Sequence, residues 1–489
     1  MRRLLVMVVL LVAAWPAQAA IDWVTSYESG LDEAERQGRP ALLYFDAGWC
    51  SWCHRWLEGA LADPRVAALI EQRFVPIKVD YDARPDLVER YRVTGLPFTA
   101  VVEADGAVRL GFVGLVATDD LLRRLEDEVG GRRDAELRLA AFPPIRPASL
   151  DEAGYAVFEE AFLEALERLY DAEREALWGL FETGLSLKWP QPMTWLWLEE
   201  RGLWPERHRA ARQGEVARLW DGVDGGFFLY RDVTPPLDHL ETAKLLEPNA
   251  WMTAWLSNGS RRETRHAAAS ALLYIHSTLR EHGTGGLFQA QRADAAYYAL
   301  PAAERLRREP PVVDPVQRAD SNGLAVVALA CAVRRGAPQR TVLDLATGAL
   351  DFLLEEMVEG GRLYHYREAG QLTESAFALD LFAVLAAGLA LDALQPEAGW
   401  LARLQPIAEQ AADWLAEADE AVWSNRLAGW VAWVAVQARF DLPEGSVERA
   451  LQQLSLGAET LPDELIPGLA AWRLRLQPER LSLAGCWGR

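Results

Sequence analysis

Up to about residue 130 the chain alternates short apolar runs with amphipathic stretches. Ala41-Leu42-Leu43-Tyr44-Phe45 is unbroken apolar sequence, the pattern of a strand covered on both faces. Residues 51–61 carry helical spacing, 74–79 read as a second strand, and 86–91 as a helical turn. Residues 99–102 and 108–113 predict two strands joined at Asp105-Gly106, a hairpin signal, and 121–129 a closing helix. Alternating elements of this kind predict an α/β domain.

The texture then changes. Residues 141–147 hold Pro143, Pro144 and Pro147, a composition that stops helices and stiffens a linker. Beyond 148, stretches rich in Ala, Leu, Glu and Arg at 151–170, 264–281, 322–334, 341–357, 376–394 and 405–418 carry helical periodicity with almost no strand signal. Short glycine loops recur between them, at Gly225-Gly226, Gly285-Gly286 and Gly360-Gly361, with a further turn read at 178–181. Repeated helix–loop–helix units follow, either paired helices closed into an (α/α) toroid or a helical solenoid.

The first residues bear on compartment. Arg2 and Arg3 precede an apolar stretch over 4–15, and Ala17-Gln18-Ala19 is a small-x-small cleavage signal, so residues 1–19 read as a signal peptide. That apolar stretch is short of the roughly 20 residues that span a bilayer. The expectation is an exported, periplasmic or secreted protein without stable membrane insertion. A net charge of −21 argues against nucleic-acid partners, because phosphates would be repelled. Of four cysteines, two lie together at Cys50 and Cys53; Cys331 reads as a buried inert thiol, and Cys486 as a thiol near the tail.

Trp49-Cys50-Ser51-Trp52-Cys53-His54 follows the first strand and opens a helix. There the orphan N–H groups and the positive end of the helix dipole stabilise a thiolate, so Cys50 is the candidate nucleophile and Cys53 the resolving thiol. Half a zinc site and c-type haem attachment through Cys-x-x-Cys-His are the rival readings. No second cysteine pair supplies zinc ligands, and no methionine lies between the leader and Met193 to serve as an axial haem ligand. No cofactor and no metal are expected.

Val79-Asp80-Tyr81-Asp82, then Tyr91-Arg92-Val93-Thr94-Gly95-Leu96-Pro97-Phe98, then Asp105-Gly106 together resemble the thioredoxin superfamily. The resemblance implies a cis bond before Pro97, with Pro97 beside the cysteine pair. One departure is Tyr44, which stands where thioredoxins carry a buried acid. The Trp-Cys-His ending is similar to the thioredoxin-like family of the spermatogenesis-associated protein 20 type, in which an (α/α) toroid like that of N-acylglucosamine 2-epimerases follows. Lys188-Trp189-Pro190, Asp224-Gly225-Gly226, and residues 319–325 resemble segments of its second half, as does Gly361-Arg362-Leu363-Tyr364 with Asp380 beyond it. The resemblance implies an α/β thioredoxin-like fold over 20–132, a linker over 133–148 and an all-α (α/α) toroid domain over 149–489.

In the toroid the candidate site residues are His239, Glu241, Asp320, His365 and Asp380, whose types suit acid–base work on a sugar. The bland reading, that each caps a helix or satisfies a buried loop, carries more weight. The block around His239 and Glu241 has two residues more than its counterpart in the family, which argues against retained catalysis. The leading expectation is a thiol–disulfide oxidoreductase acting on protein or peptide thiols, served by a redox partner in the envelope, with the helical domain holding a client. The alternative is a sugar-binding or sugar-acting toroid with a vestigial redox domain.

Overall fold

The computed structural model describes residues 21–130, 144–177, 179, 187–234, 238–419, 422–457, 460–477 and 486–487. The leader read at 1–19, most of the linker read at 133–148 and all but Gly179 of the turn read at 178–181 lie outside the described residues. The chain divides into two compact units. The described part of the first is 21–47, 52–80 and 93–130; the second takes 48–51, 81–92 and everything described from 144 onward.

The elements of the first stretch, in order, are α1 (Tyr27–Gln37), β1 (Ala41–Asp46), α2 (Ser51–Glu58), α3 (Pro64–Arg73), β2 (Val75–Asp80), α4 (Pro85–Arg90), β3 (Phe98–Val102), β4 (Val108–Val113) and α5 (Thr118–Val129). The sheet runs β2-β1-β3-β4, with β1 parallel to β2 and antiparallel to β3. All six β1 residues are buried, which is why that strand reads as unbroken apolar sequence. Leu42, Tyr44, Trp56, Ile70, Val101 and Leu121 form the core between sheet and helices. This is the expected thioredoxin-like fold.

In the second unit, among the described residues, six helices pack in sequence and close on themselves. They are Pro192–Glu200, Leu246–Leu256, Ala319–Arg334, Ala378–Asp392, Asn425–Val436 and Pro462–Leu476, the last returning to the first. Outer helices back them, including Pro205–Leu219, Arg262–Tyr274, Gln339–Glu355 and Gln405–Glu417. The arrangement is a closed (α/α) toroid, and the solenoid falls away. Sequence pattern sorts the two layers. Gln339–Glu355 buries Val342, Leu345, Ala346, Ala349, Leu350 and Leu353, one face of an amphipathic helix. Ala378–Asp392 is buried at every position from Asp380 to Asp392, as an inner helix covered on all sides must be.

The inner helices begin at one end of the ring. Asp463 accepts from the Met193 and Thr194 amides, Arg426 pairs with Glu247, and the Asp320 amide donates to Asp380 at 2.9 Å. The glycine loops are the joints feeding these starts. Gly225 and Gly226 turn at φ 84° and 75°, which only glycine adopts freely, and Phe227 then bonds through both backbone groups to the Asn249 side chain. After Gly285-Gly286 the same clamp recurs, with Leu287 held on Asn322.

Two expectations need correction. The helical region carries short strands, among them the hairpin of Arg362–Glu368 and Gln371–Ser375, whose polar alternation is too brief to stand out. Cys331 and Cys486 are not thiols but a disulfide across 155 residues, with Cα atoms 4.8 Å apart. The inner helix Ala319–Arg334 presents Cys331 where the tail returns, and Trp487 stacks beside it on Trp251. No helix among the described residues is long and apolar enough to cross a membrane.

Candidate functional site

Strand β1 ends at Asp46, and five residues later α2 starts at Ser51, so Cys50 sits immediately before a helix N-terminus. Cys50 and Cys53 are both oxidised; since Cys331 is bonded to Cys486, they are each other's partners. Cys50 is 3% exposed and Cys53 fully buried. The bond before Pro97 is cis, and Pro97 leads directly into β3. The Tyr44 hydroxyl donates to the Cys53 carbonyl at 3.1 Å. Burial, and then the charge of Asp46, push the Tyr44 phenol far above its ordinary value, so it stays neutral and is no carboxylate substitute.

Around Cys50 the second unit builds a polar frame from its own segments. Trp49 Nε1 donates to Asp82 Oδ2 at 2.8 Å, and the Ser51 hydroxyl donates to Glu241. Gly48 is closely approached by Asp314, so a side chain there would collide with its carboxylate. The other Asp82 oxygen accepts from Arg318 at 2.7 Å.

Of the residues proposed for the toroid, Asp320, His365 and Asp380 converge, with ligand atoms within 4.8 Å of one another and all three buried. His239 and Glu241 do not join them; they lie 3.8 Å apart on a strand paired with Tyr230–Asp232. The converging groups already satisfy one another. Arg318 donates to both Asp320 oxygens, at 3.0 and 2.6 Å. Asp380 caps two helix starts through the Asp320 and Phe377 amides. His365 places Nδ1 on Asp380 and Nε2 on the Asp82 carbonyl.

Burial opposes ionisation of Asp320, but Arg318 outweighs it and holds the carboxyl well below the usual range. Burial likewise disfavours charge on His365, and Asp380 reverses that, raising its pKa. A histidine with acceptors at both nitrogens has no lone pair for a metal, and Arg318 competes for Asp320, so this donor set does not fit a cation. Sequence reading missed Arg318 and Asp82 as parts of the cluster; the only signal was an unusual string of acids at Asp80 and Asp82.

Lys244 and Asn249, which follow Glu241 in the chain, are structural. Lys244 is fully buried against Asp221 at 2.8 Å and the Gly225 carbonyl, and Asn249 holds Phe227.

Residues 13–103 match the family described as Thioredox_DsbH, protein of unknown function, DUF255. Spermatogenesis-associated protein 20 of Homo sapiens is 30% identical over 71 residues, 14% of this chain and 9% of that protein. Thiol:disulfide interchange protein DsbD of Campylobacter jejuni is 28% identical over 109 residues, 22% of this chain and 19% of that one. The matched stretch thus spans about a tenth to a fifth of these relatives' length. A crystal structure of D-mannose isomerase superposes with a TM-score of 0.51 at 10% identity, over 68% of this chain and 100% of that chain, which shows a shared fold and no more. The chain joins a thioredoxin-like domain, related to that of spermatogenesis-associated protein 20, to an (α/α) toroid with the fold of D-mannose isomerase.

Proposed function

We propose that this protein is an extracytoplasmic thiol–disulfide oxidoreductase that exchanges the Cys50–Cys53 disulfide with protein or peptide thiols. The supporting observation is the oxidised pair at the start of α2, in a domain similar to thiol:disulfide interchange protein DsbD. A thiolate of the client or of an envelope redox partner attacks one sulfur, a mixed disulfide forms, and the second cysteine leaves as thiolate. The leader-like sequence at 1–19 supports export. Cys50 lies in the 48–51 segment, which belongs with the toroid unit. The toroid holds that segment and engages the client.

The test is the redox equilibrium of the mature protein against glutathione, read by thiol alkylation and mass spectrometry, together with trapping by Cys53→Ser. A reversible intramolecular disulfide and trapped mixed disulfides are expected. A pair that never reduces, or a variant that traps nothing from the exported proteome, rejects the reading.

A sugar-acting toroid is the second reading, favoured only by the shared fold. Against it, Asp320, His365 and Asp380 are committed to Arg318, Asp82 and helix amides. Binding of any oligosaccharide by the intact chain in a glycan panel, abolished by His239→Ala, would revive it.

A further inference from the structure

Tyr44 stands where thioredoxins carry a buried acid, while Glu241 sets a carboxylate on Ser51, the residue that follows Cys50. Glu241 is 1% exposed and accepts from the Ser51 hydroxyl and from the Ala243 amide at 3.3 Å. Ser51 is both the residue after Cys50 and the first residue of α2. The geometry points to Glu241 as a positioning residue that tunes the Cys50 thiolate, an inference that rests on the oxidoreductase reading above.

Two effects act in the same direction. A carboxylate held on Ser51 opposes a second anion at the adjoining Cys50. In addition, the Ser51 hydroxyl hydrogen is taken by Glu241, so it is not available to a thiolate sulfur. Other charged groups are set around the segment. His239 lies 3.8 Å from Glu241; Asp82 carries Trp49 and is neutralised by Arg318; Asp314 at Gly48 is paired with Arg292; and His54 follows the motif. With Asp82 and Asp314 each facing an arginine, Glu241 is the carboxylate whose partner is a neutral hydroxyl of the motif itself.

The consequence is a less stable thiolate, and hence a dithiol that gives up its electrons more readily. In the exchange, two glutathione thiols supply two electrons to the Cys50–Cys53 bond, yielding the dithiol and one glutathione disulfide. Anything that stabilises the Cys50 thiolate moves this equilibrium toward the dithiol.

The experiment follows alkylation rate against pH on the full mature chain, reduced with a phosphine, for wild type, Glu241→Gln, Glu241→Ala and Glu241→Asp. Loss of the charge in E241Q should lower the Cys50 midpoint by roughly one pH unit. It should also shift the glutathione equilibrium about tenfold toward the dithiol, or about 30 mV for two electrons. E241A, which also frees the Ser51 hydroxyl, should lower the midpoint at least as far. E241D should restore it, an outcome that a purely structural role does not require. An unchanged midpoint in a folded E241Q or E241A protein overturns the inference. The alkylation profile needs only reduced thiols, so it judges Glu241 even if no client is ever trapped; failed trapping counts against the oxidoreductase reading alone.

Discussion

His365 Nδ1 lies 2.8 Å from Asp380 Oδ1, and neither partner of the ring can donate: Asp380 offers a carboxylate, and at Nε2 the Asp82 carbonyl lies at 2.8 Å. Both ring nitrogens must therefore carry protons. While protonated, the ring ties the strand Arg362–Glu368 to the inner helix Ala378–Asp392 and to the Tyr81–Arg92 segment of the same unit.

A pH dependence follows. The His365 pKa is raised in the folded protein, Asp380 overcoming the opposing cost of burial. Its contribution is complete below the unfolded value, about 6.5, and is lost as pH rises through the folded value. Thermal unfolding between pH 6 and 9 should show falling stability, and His365→Asn should flatten that slope while costing about 3 kcal/mol at pH 6. A ring resonance titrating below about 6.5 by NMR would contradict the assignment.

What the sequence revealed depended on range. β1, the Asp105-Gly106 hairpin and Cys50 with Cys53 announce themselves within a few residues. Outer helices such as Gln339–Glu355 were legible because one face is polar. The inner helices Ala319–Arg334 and Ala378–Asp392 show in their long Ala- and Leu-rich runs, whereas the shorter, tryptophan-bearing Leu246–Leu256 and Asn425–Val436 do not stand out. The partners of the redox segment come from far along the chain: Glu241 is 190 residues from Ser51, and Arg318 is 236 from Asp82. No local pattern encodes such pairings. His239, Glu241, Asp320, His365 and Asp380 stand out by residue type, and only coordinates divide them into an ionic joint and a pair of which Glu241 reaches Ser51.

The Cys331–Cys486 bond closes a loop of 155 residues and secures the tail to an inner helix. Cross-links over loops this long remove much unfolded-chain entropy, worth about 5 kcal/mol. Cys331→Ala with Cys486→Ala should lower the unfolding midpoint in calorimetry while leaving Cys50–Cys53 exchange intact. A variant with unaltered unfolding would show that this bond contributes nothing.

Lys244 tests whether the segment after Glu241 is structural. Its ammonium is buried on Asp221 and the Gly225 carbonyl, among the rings of Phe228, Tyr274 and Tyr298 at 4.7–5.0 Å. Burial lowers its pKa, opposed by Asp221. Lys244→Met should destabilise by about 3 kcal/mol in chemical denaturation, because Asp221 loses one of its two cationic partners among the described residues and keeps Arg305. Redox behaviour at Cys50 should remain close to wild type. Normal stability would mean that the ammonium is dispensable to the fold.

The two asparagine clamps make the sharpest comparison. Asn322 accepts from the Leu287 amide at 2.8 Å and donates to the Leu287 and Arg318 carbonyls, each at 2.9 Å. Asn249 makes the equivalent set with Phe227 and Leu245. Each side chain thus stitches a glycine-loop joint to the start of the next inner helix, and truncation strands three buried backbone groups. An unmet buried group costs about 1–3 kcal/mol, so Asn322→Ala and Asn249→Ala should each lose about 3 kcal/mol or more in urea unfolding. The losses should be alike, since the geometry repeats, and should add in the double variant, since the joints are separate. If one variant unfolds the toroid while the other is neutral, the joints are not equivalent units, and the repeat is a likeness of shape without a shared energetic role.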